Sequence, residues 1–236
     1  MPPHPLDADV AALGAAGFLR LVRTPAGPGW HACAELLDAE GALDAWTARV
    51  TGWLCRTYGA EPHPSVAPTY LMGWYLDAVA RAGATWLVRR HRVPDLDPTQ
   101  LALHETPGGW PDAVAVASTR FRCLPDDPAA GHPDALVLAD DTALLSSYEQ
   151  QVRAHAAAFH RAFRPGVPTG TRQRWGMVDD VLEACLWTAR RDAGVPAGRL
   201  GTRRSCCFAF RVDAALLCDR CPRRAEGGPG RVVVRP

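Results

Sequence analysis

The chain has 236 residues, of which 47% are apolar and 22% are charged, a composition typical of a soluble globular protein with a sizeable core. This length allows one large domain, or one domain with a small appendage. The formal net charge of +1 excludes a general electrostatic attraction to nucleic acid. No stretch approaches the roughly 18–20 uncharged apolar residues that a membrane helix needs, which leaves peripheral contact as the form of membrane association still open.

The N-terminal half is expected to be mainly helical. Apolar residues at a helical period predict three helices there: Asp7–Val22, Leu36–Tyr58 and Thr69–Val88. Asp7 or Asp9 is the expected N-cap of the first helix, and a Gly/Pro-rich break at residues 26–30 follows it. Gly73 and Gly83 interrupt the apolar pattern of the third helix.

The middle of the chain changes to alternating patterns and then returns to helix. Two strands are predicted on either side of a turn at residues 106–111: Gln100–Glu105 and Ala113–Cys123. A loop rich in Pro, Asp and Gly covers residues 125–133. Two further helices are predicted, Asp141–Phe163 and Arg172–Asp192, the second ended by Gly194.

The last part of the chain differs from the rest in charge. Residues 1–200 carry 18 Arg and 22 acidic residues, whereas residues 201–236 carry 8 Arg and 3 acidic residues. A linker at Pro196 and Gly198 separates the two parts. The expected fold is therefore α+β, with a helix-rich domain over residues 1–200 that contains a small antiparallel sheet, and a loop-rich C-terminal segment over residues 201–236, the cysteine segment.

The compartment follows from the start of the chain. The stretch Met1–Arg23 has no basic n-region and carries acidic residues before its apolar part, so it is a poor signal peptide. A cytoplasmic location is expected, where stable disulfides are rare. Clustered cysteines in such a compartment indicate a metal site.

Four of the eight cysteines lie close together in sequence, with the spacing Cys-Cys-x10-Cys-x2-Cys. These C-terminal thiols are Cys206, Cys207, Cys218 and Cys221. Four thiolates complete the coordination of a [2Fe-2S] cluster. Because adjacent residues of a strand point to opposite faces, a turn at Cys206-Cys207 must bring both sulfurs inward, and the ten residues that follow are expected to form a hairpin.

Three other interpretations of these cysteines remain open. A structural zinc site is the strongest of them, although zinc sites usually use two spaced Cys pairs, a pattern that Cys206-Cys207 fits poorly. Disulfides and unrelated free cysteines are the other two. The spacing favours iron and sulfide over all three.

The stretch Arg203-Arg-Ser-Cys-Cys-Phe-Ala-Phe210 and the later Cys218-Asp-Arg-Cys-Pro222 resemble the C-terminal motif of the FhuF-type ferric-siderophore reductases. The resemblance is specific over about 20 residues and extends loosely back through Trp175-Gly176. It implies that the four C-terminal thiols bind a [2Fe-2S] cluster. It also implies one-electron reduction of siderophore-bound iron(III), an oxidoreductase activity that releases iron(II) in the cytoplasm.

Six arginines flank the thiols in sequence: Arg203, Arg204, Arg211, Arg220, Arg223 and Arg224. A [2Fe-2S] centre with four thiolates is anionic and gains a further negative charge on reduction. We therefore expect these arginines to favour the reduced state and to dock an acidic electron donor or an anionic ferric chelate. A solvated basic tail is the alternative.

The electron donor must be a separate protein, because no dinucleotide-binding fingerprint is present. The glycine-rich stretches at residues 27–29 and 227–230 are interpreted as loops. A ferredoxin or an NAD(P)H-dependent reductase is the expected donor. Two other functions remain open: a zinc-stabilised siderophore-binding or scaffold module, and a [2Fe-2S] electron carrier for a biosynthetic pathway.

Several other residues are assigned to the core or the surface. Cys33, Cys55, Cys123 and Cys185 are expected to be buried small hydrophobic residues. Trp30, Trp74, Trp86 and Trp110 could line a siderophore pocket, but core packing is favoured for each. His31 with Cys33 lacks a second pair of ligands, and His155 and His160 do not share a helix face well. Asp179-Asp180 is expected on a helix surface.

Overall fold

The computed structural model describes residues 3–213, 216–226 and 231–232. This part of the chain has the α+β architecture expected from the sequence, with six α-helices around a small central sheet and a loop-rich C-terminal segment. None of the helices in the described ranges is long and apolar enough to cross a membrane.

The first helix is shorter than predicted. Helix α1 covers Pro5–Leu13 and ends at Gly14, whose φ of 61° lies in the left-handed region that glycine adopts readily. Strands β1 (Ala15–Ala16) and β2 (Leu19–Val22) follow as a hairpin. The prediction of a helix to residue 22 was wrong because β2 alternates the buried Leu19 and Leu21 with the less buried Arg20 and Val22. The N-cap is the side chain of His4, not Asp7 or Asp9.

The second predicted helix is two helices. After strand β3 (Trp30–Ala32), α2 covers Cys33–Asp38 and α3 covers Ala42–Tyr58. Gly41 between them has a φ of 74°. This left-handed residue changes the direction of the chain. The apolar pattern therefore continues from α2 into α3, although the two helices have different axes.

Helix α4, Val66–Arg90, lies at the centre of the molecule. It packs against α3 and against two later helices, α5 (Asp141–Ala162) and α6 (Thr171–Asp192). It runs without a break through both glycines. A Cβ at Gly83 would lie 2.7 Å from Leu96 and 2.8 Å from Tyr148, whereas one at Gly73 would lie 3.6 Å from Met177. Gly83 therefore allows a close helix approach and does not end the helix.

The central sheet is mixed. Its five strands have the order β1-β2-β6-β5-β3, where β5 is Leu101–Glu105 and β6 is Pro111–Val116. The predicted antiparallel pair is confirmed for β5 and β6, but β2 runs parallel to β6. The expectation of a wholly antiparallel sheet was wrong at this point because α2, α3 and α4 lie between β2 and its neighbour β6 in the chain, a crossover that allows parallel pairing.

The predicted strand Ala113–Cys123 contributes to two sheets. Strand β6 ends at Val116, and after a turn held by the Ser118 hydroxyl the chain enters β7 (Phe121–Cys123). A three-stranded sheet then forms in the order β4-β7-β8, from Arg92–Pro94, Phe121–Cys123 and Ala135–Val137.

Both C-terminal helices are confirmed. Helix α5 covers Asp141–Ala162, and the side chain of Asp140 accepts a hydrogen bond from the N–H of Ala143 at its start. Helix α6 covers Thr171–Asp192. Gly194, with a φ of 71°, follows its end as expected.

The described residues of the cysteine segment form short elements that pack beside α6. A 3-10 turn covers Ala209–Arg211, and β9 (Leu216–Leu217) pairs in parallel with β10 (Arg231–Val232). The expected hairpin after Cys207 is not formed by the described residues 208–213 and 216–217, because the 3-10 turn redirects the chain. The predicted loop at residues 227–230 lies outside the described residues, and the division at residue 200 stays a prediction.

Candidate functional site

The structure brings the four C-terminal thiols to one place beside α6 and α4. They lie on two short stretches of chain, and the backbone N–H of Arg203 joins these by donating to the carbonyl of Arg220 at 2.9 Å. The N–H of Cys221 donates to the carbonyl of Cys218 at 3.0 Å, which closes the Cys-x-x-Cys turn. Cys221 is buried and the other three thiols are partly exposed.

The chain changes direction directly after the adjacent cysteines, at Phe208. Phe208 has a φ of 58°, which is rare for an aromatic residue and costs conformational energy. Its N–H lies 3.4 Å from the sulfur of Cys206. This left-handed residue is what redirects the chain after Cys207.

Hydrogen bonds and charge make the thiols unequal. The Cys218 thiol donates to Cys207, and together with the N–H of Ala209 and the charge of Arg203 this lowers the pKa of Cys207 to about 7 despite burial. The same shared proton raises the pKa of Cys218. Burial raises the pKa of Cys206. One thiol of the group is therefore ready to act as a thiolate ligand near neutral pH.

Asp180 of α6 anchors the start of the motif. The carboxylate, only 3% exposed, accepts hydrogen bonds from the N–H of Arg204 at 2.7 Å, the N–H of Ser205 at 2.9 Å and the hydroxyl of Ser205 at 2.6 Å. Asp179-Asp180 was expected on a helix surface, and this expectation was wrong for Asp180. Its carboxylate takes the place of water as the acceptor for backbone N–H groups that would otherwise be unpaired.

Gln173 holds the next residue from the same helix. Its side-chain carbonyl accepts from the N–H of Cys206 at 3.0 Å, and its amide donates to the carbonyl of Cys206. Gln173 and Asp180 are seven residues apart and thus share a face of α6. That spacing, together with Gly176 between them, is a signal in the sequence that could have pointed to a docking face.

Arg203 is the cation nearest to the thiols. Its guanidinium pairs with Asp180 at 3.3 Å and donates a hydrogen bond to the hydroxyl of Ser205 at 3.2 Å. Burial disfavours its charge, but the nearby Cys207 and Cys218 outweigh this and raise the pKa of Arg203. A fixed positive charge therefore lies against the sulfurs.

Of the other five flanking arginines, Arg224 lies 3.8 Å from Asp219, and the remaining four fall into two sets. Arg220 is largely buried and pairs with Glu183 at 2.6 Å. The side chain of Arg204 is 64% exposed, and Arg211 and Arg223 are exposed and lie over the ring of Phe210. The second set forms an exposed basic rim, defined here as Arg204, Arg211 and Arg223.

A cavity of about 850 Å³, the site cavity, opens beside Cys207 and Cys218. Tyr70, Trp74 and Trp110 form its aromatic wall, and their rings contact one another edge to face. Core packing was the favoured prediction for Trp74 and Trp110, and the structure places both at this cavity. Trp86 is fully buried as predicted, and Trp30 does not line the cavity.

The charges that line the site cavity are paired. Arg81 bonds Asp77 at 2.8 Å, Arg203 bonds Asp180, and Arg191 lies 3.3 Å from Asp192. The cavity thus combines a broad aromatic surface with polar groups of both signs, next to partly exposed sulfur.

The donor set suits a thiolate-bound metal group. All eight cysteines lie within the described ranges, and none is joined to another by a disulfide. Four thiols, one with a lowered pKa, and a neighbouring cation match the needs of an anionic [2Fe-2S] group bound by four cysteines.

A second group of possible ligands has a structural explanation. His4, His132 and Asp134 are the one set of three His, Cys or carboxylate residues in the described ranges whose ligand atoms lie mutually within 4.8 Å. His4 and His132 each use Nδ1 to accept a backbone N–H, from Leu6 and Asp134 respectively. A neutral imidazole has one lone pair, so neither ring retains one for a metal.

The remaining cysteines and histidines stay outside the site. Cys33, Cys123 and Cys185 are buried as predicted, while Cys55 is only half-buried. Burial raises the pKa of Cys33 to about 12, which makes it unreactive. His31 pairs with Glu105 at 3.0 Å.

A comparison with protein-family models finds no match for this chain, and a comparison with curated proteins finds none either.

Proposed function

We propose that the protein is a ferric-siderophore reductase that holds a [2Fe-2S] cluster on Cys206, Cys207, Cys218 and Cys221. The observation that carries the proposal is the position of Cys207 and Cys218 at the wall of an aromatic cavity of about 850 Å³. A redox group at these thiols would lie beside a space large enough for a bulky chelate.

The four sulfurs favour a two-iron group over a single zinc ion. Zinc binds thiolates at about 2.3 Å in a tetrahedron, which requires all four sulfurs to lie about 3.8 Å apart. Among the described residues no three cysteine sulfurs lie mutually within 4.8 Å. A [2Fe-2S] cluster divides its four cysteines between two irons, so it requires close sulfurs only in pairs.

When bound, the cluster supplies a relay for single electrons. One electron leaves a reduced ferredoxin or an NAD(P)H-dependent reductase, and one iron(III) of the chelate becomes iron(II), so the charge balances. Siderophore oxygens are hard ligands that hold iron(III) far more tightly than iron(II), and reduction therefore releases the metal. The reaction belongs to the cytoplasm, where such donors are present.

The chain's own residues have four tasks in this reaction. Asp180 and Gln173 hold the backbone on which the thiols lie. Arg203 stabilises added negative charge at the sulfurs. The aromatic wall holds the chelate through its apolar surface, and the exposed basic rim attracts an acidic donor, an interaction that salt weakens.

The test is anaerobic purification followed by metal and sulfide analysis, electron paramagnetic resonance and rapid mixing with ferric chelates. We expect two irons and two sulfides per chain, and oxidation of the dithionite-reduced protein by ferric siderophore with formation of iron(II). Replacing Cys218 with Ser should abolish the visible spectrum, while replacing the buried, remote Cys123 with Ser should not.

Two results would each identify another function, and a third would contradict the role of the thiols. One zinc per chain without colour would indicate the zinc-stabilised module. A bound cluster that reduces no ferric chelate would indicate an electron carrier for another pathway. Reduction of chelates by the Cys218→Ser variant at the wild-type rate would remove the thiols from the reaction.

A further inference from the structure

Tyr70 places a buried hydroxyl group beside the candidate redox site. The residue lies in the second turn of α4, and its ring packs edge to face against Trp74 with 5.3 Å between centroids. The hydroxyl oxygen is buried and has no hydrogen-bond partner among the described residues.

An unpaired buried hydroxyl is costly, at about 1–3 kcal/mol. A phenylalanine would fill the same space between α4 and the cysteine segment without that cost. The unpaired hydroxyl therefore indicates that a hydrogen-bond acceptor comes within its reach in the functional state.

The sulfur of Cys207 is the best acceptor for this hydroxyl. Tyr70, Cys207 and Cys218 line the same cavity. Burial raises the pKa of Tyr70 most, and the charge of Cys207 comes next, ahead of that of Cys218.

We infer that the Tyr70 hydroxyl donates a hydrogen bond to the sulfur of Cys207 when the thiols hold their [2Fe-2S] group, and that this bond raises the reduction potential of the site. The inference rests on the proposed function. A hydrogen bond to sulfur is stronger when the sulfur carries more negative charge, so the bond stabilises the reduced state more than the oxidised state. Tyr70 is thus a positioning and tuning residue that does not itself react.

The test compares Tyr70→Phe with Tyr58→Phe in the loaded protein. Tyr58 is half-buried and also lies within the electrostatic reach of Cys207, but its hydroxyl is not among the buried unpaired groups. In Tyr70→Phe, we expect the ratio of reduced to oxidised protein at a fixed potential to fall about tenfold, which corresponds to about 59 mV for one electron. Tyr58→Phe should change this ratio much less.

Resonance Raman spectra provide a readout that does not depend on turnover. Exchange into D₂O should shift the iron–sulfur stretching bands of the wild type, and the shift should be smaller in Tyr70→Phe. Equal potentials and equal isotope shifts in the wild type and Tyr70→Phe would overturn the inference and leave the proposed function intact.

Two other outcomes also decide against it. If Tyr70→Phe keeps the wild-type potential but binds ferric chelate more weakly, the hydroxyl serves the substrate and not Cys207. If the wild-type protein binds no iron and sulfide, the inference falls together with the proposed function.

Discussion

At the scale of single residues, neighbouring arginines that look equivalent in the sequence have different environments. Arg203 is 13% exposed and bonds Asp180, whereas Arg204 is 64% exposed. The electrostatic effect of a charge on a redox site grows as water is excluded from between them. Only one of the two arginines thus has a strong effect on the sulfurs.

The variants Arg203→Gln and Arg204→Gln test this difference. We expect Arg203→Gln to lower the midpoint potential of the proposed cluster, because it removes a buried positive charge that favours the reduced state. Arg204→Gln, its matched control, should leave the potential near that of the wild type, since salt and water screen its charge. Potentiometric titration of both variants checks the expectation, and equal shifts would contradict it.

The sequence predicted the cysteine group but not its supports. The spacing in the chain was enough to predict that Cys206, Cys207, Cys218 and Cys221 form one group, because residues a few positions apart must lie near one another. Asp180 was expected on the surface because an acidic residue in a helix is usually solvated. Its burial depends on the backbone of Ser205, 25 residues later in the chain, which no local pattern reveals.

At the scale of helices and strands, Gly83 determines how closely α4 approaches its neighbours. We expect Gly83→Ala to destabilise the protein by about 1–3 kcal/mol, because a methyl group would overlap Tyr148 and Leu96 in a packed core. Gly73→Ala is the matched control in the same helix, since its methyl group meets only ordinary contact with Met177. Alanine has a better helix propensity by about 1 kcal/mol, so the control should be neutral or stabilising.

Chemical unfolding of both variants measures the difference. A Gly83→Ala protein as stable as Gly73→Ala would show that the α4–α5 contact can relax without cost.

The elements themselves were predictable in proportion to their regularity. Helices α5 and α6 were expected within about two residues because each has a long apolar period. The strand β2 and the division between α2 and α3 were missed, since both depend on left-handed glycines at residues 14 and 41. A glycine within an apolar pattern does not show in the sequence whether its φ is positive, as at Gly41, or helical, as at Gly83.

At the scale of the whole molecule, two buried histidines link stability to pH. Burial lowers the pKa of His155 to about 4, although the carbonyl of Leu96 and the charge of Asp97 oppose this. Burial and the nearby Arg174 lower the pKa of His160 to about 4. Both pKa values lie below the ordinary histidine value of 6.5. Between about pH 4 and pH 6.5, the unfolded chain therefore binds more protons than the folded protein.

The free energy of unfolding should therefore fall as the pH is lowered from about 6.5 to about 4. Each histidine contributes up to about 3 kcal/mol to this loss. His160→Leu should reduce the slope of stability against pH in this window, and His91→Gln, which changes a histidine side chain that is 64% exposed, should not. Urea unfolding at a series of pH values measures the slopes, and an unchanged slope in His160→Leu would contradict the prediction.

The docking of the cysteine segment on one helix also has a consequence for the order of events during synthesis. Gln173, Asp180 and Glu183 hold the cysteine segment, and all three leave the ribosome before the first thiol of the motif. Helix α6 packs on α4, which is made earlier still. On the proposed function, the residues that hold the thiols are therefore made before the thiols to which iron and sulfide must be delivered.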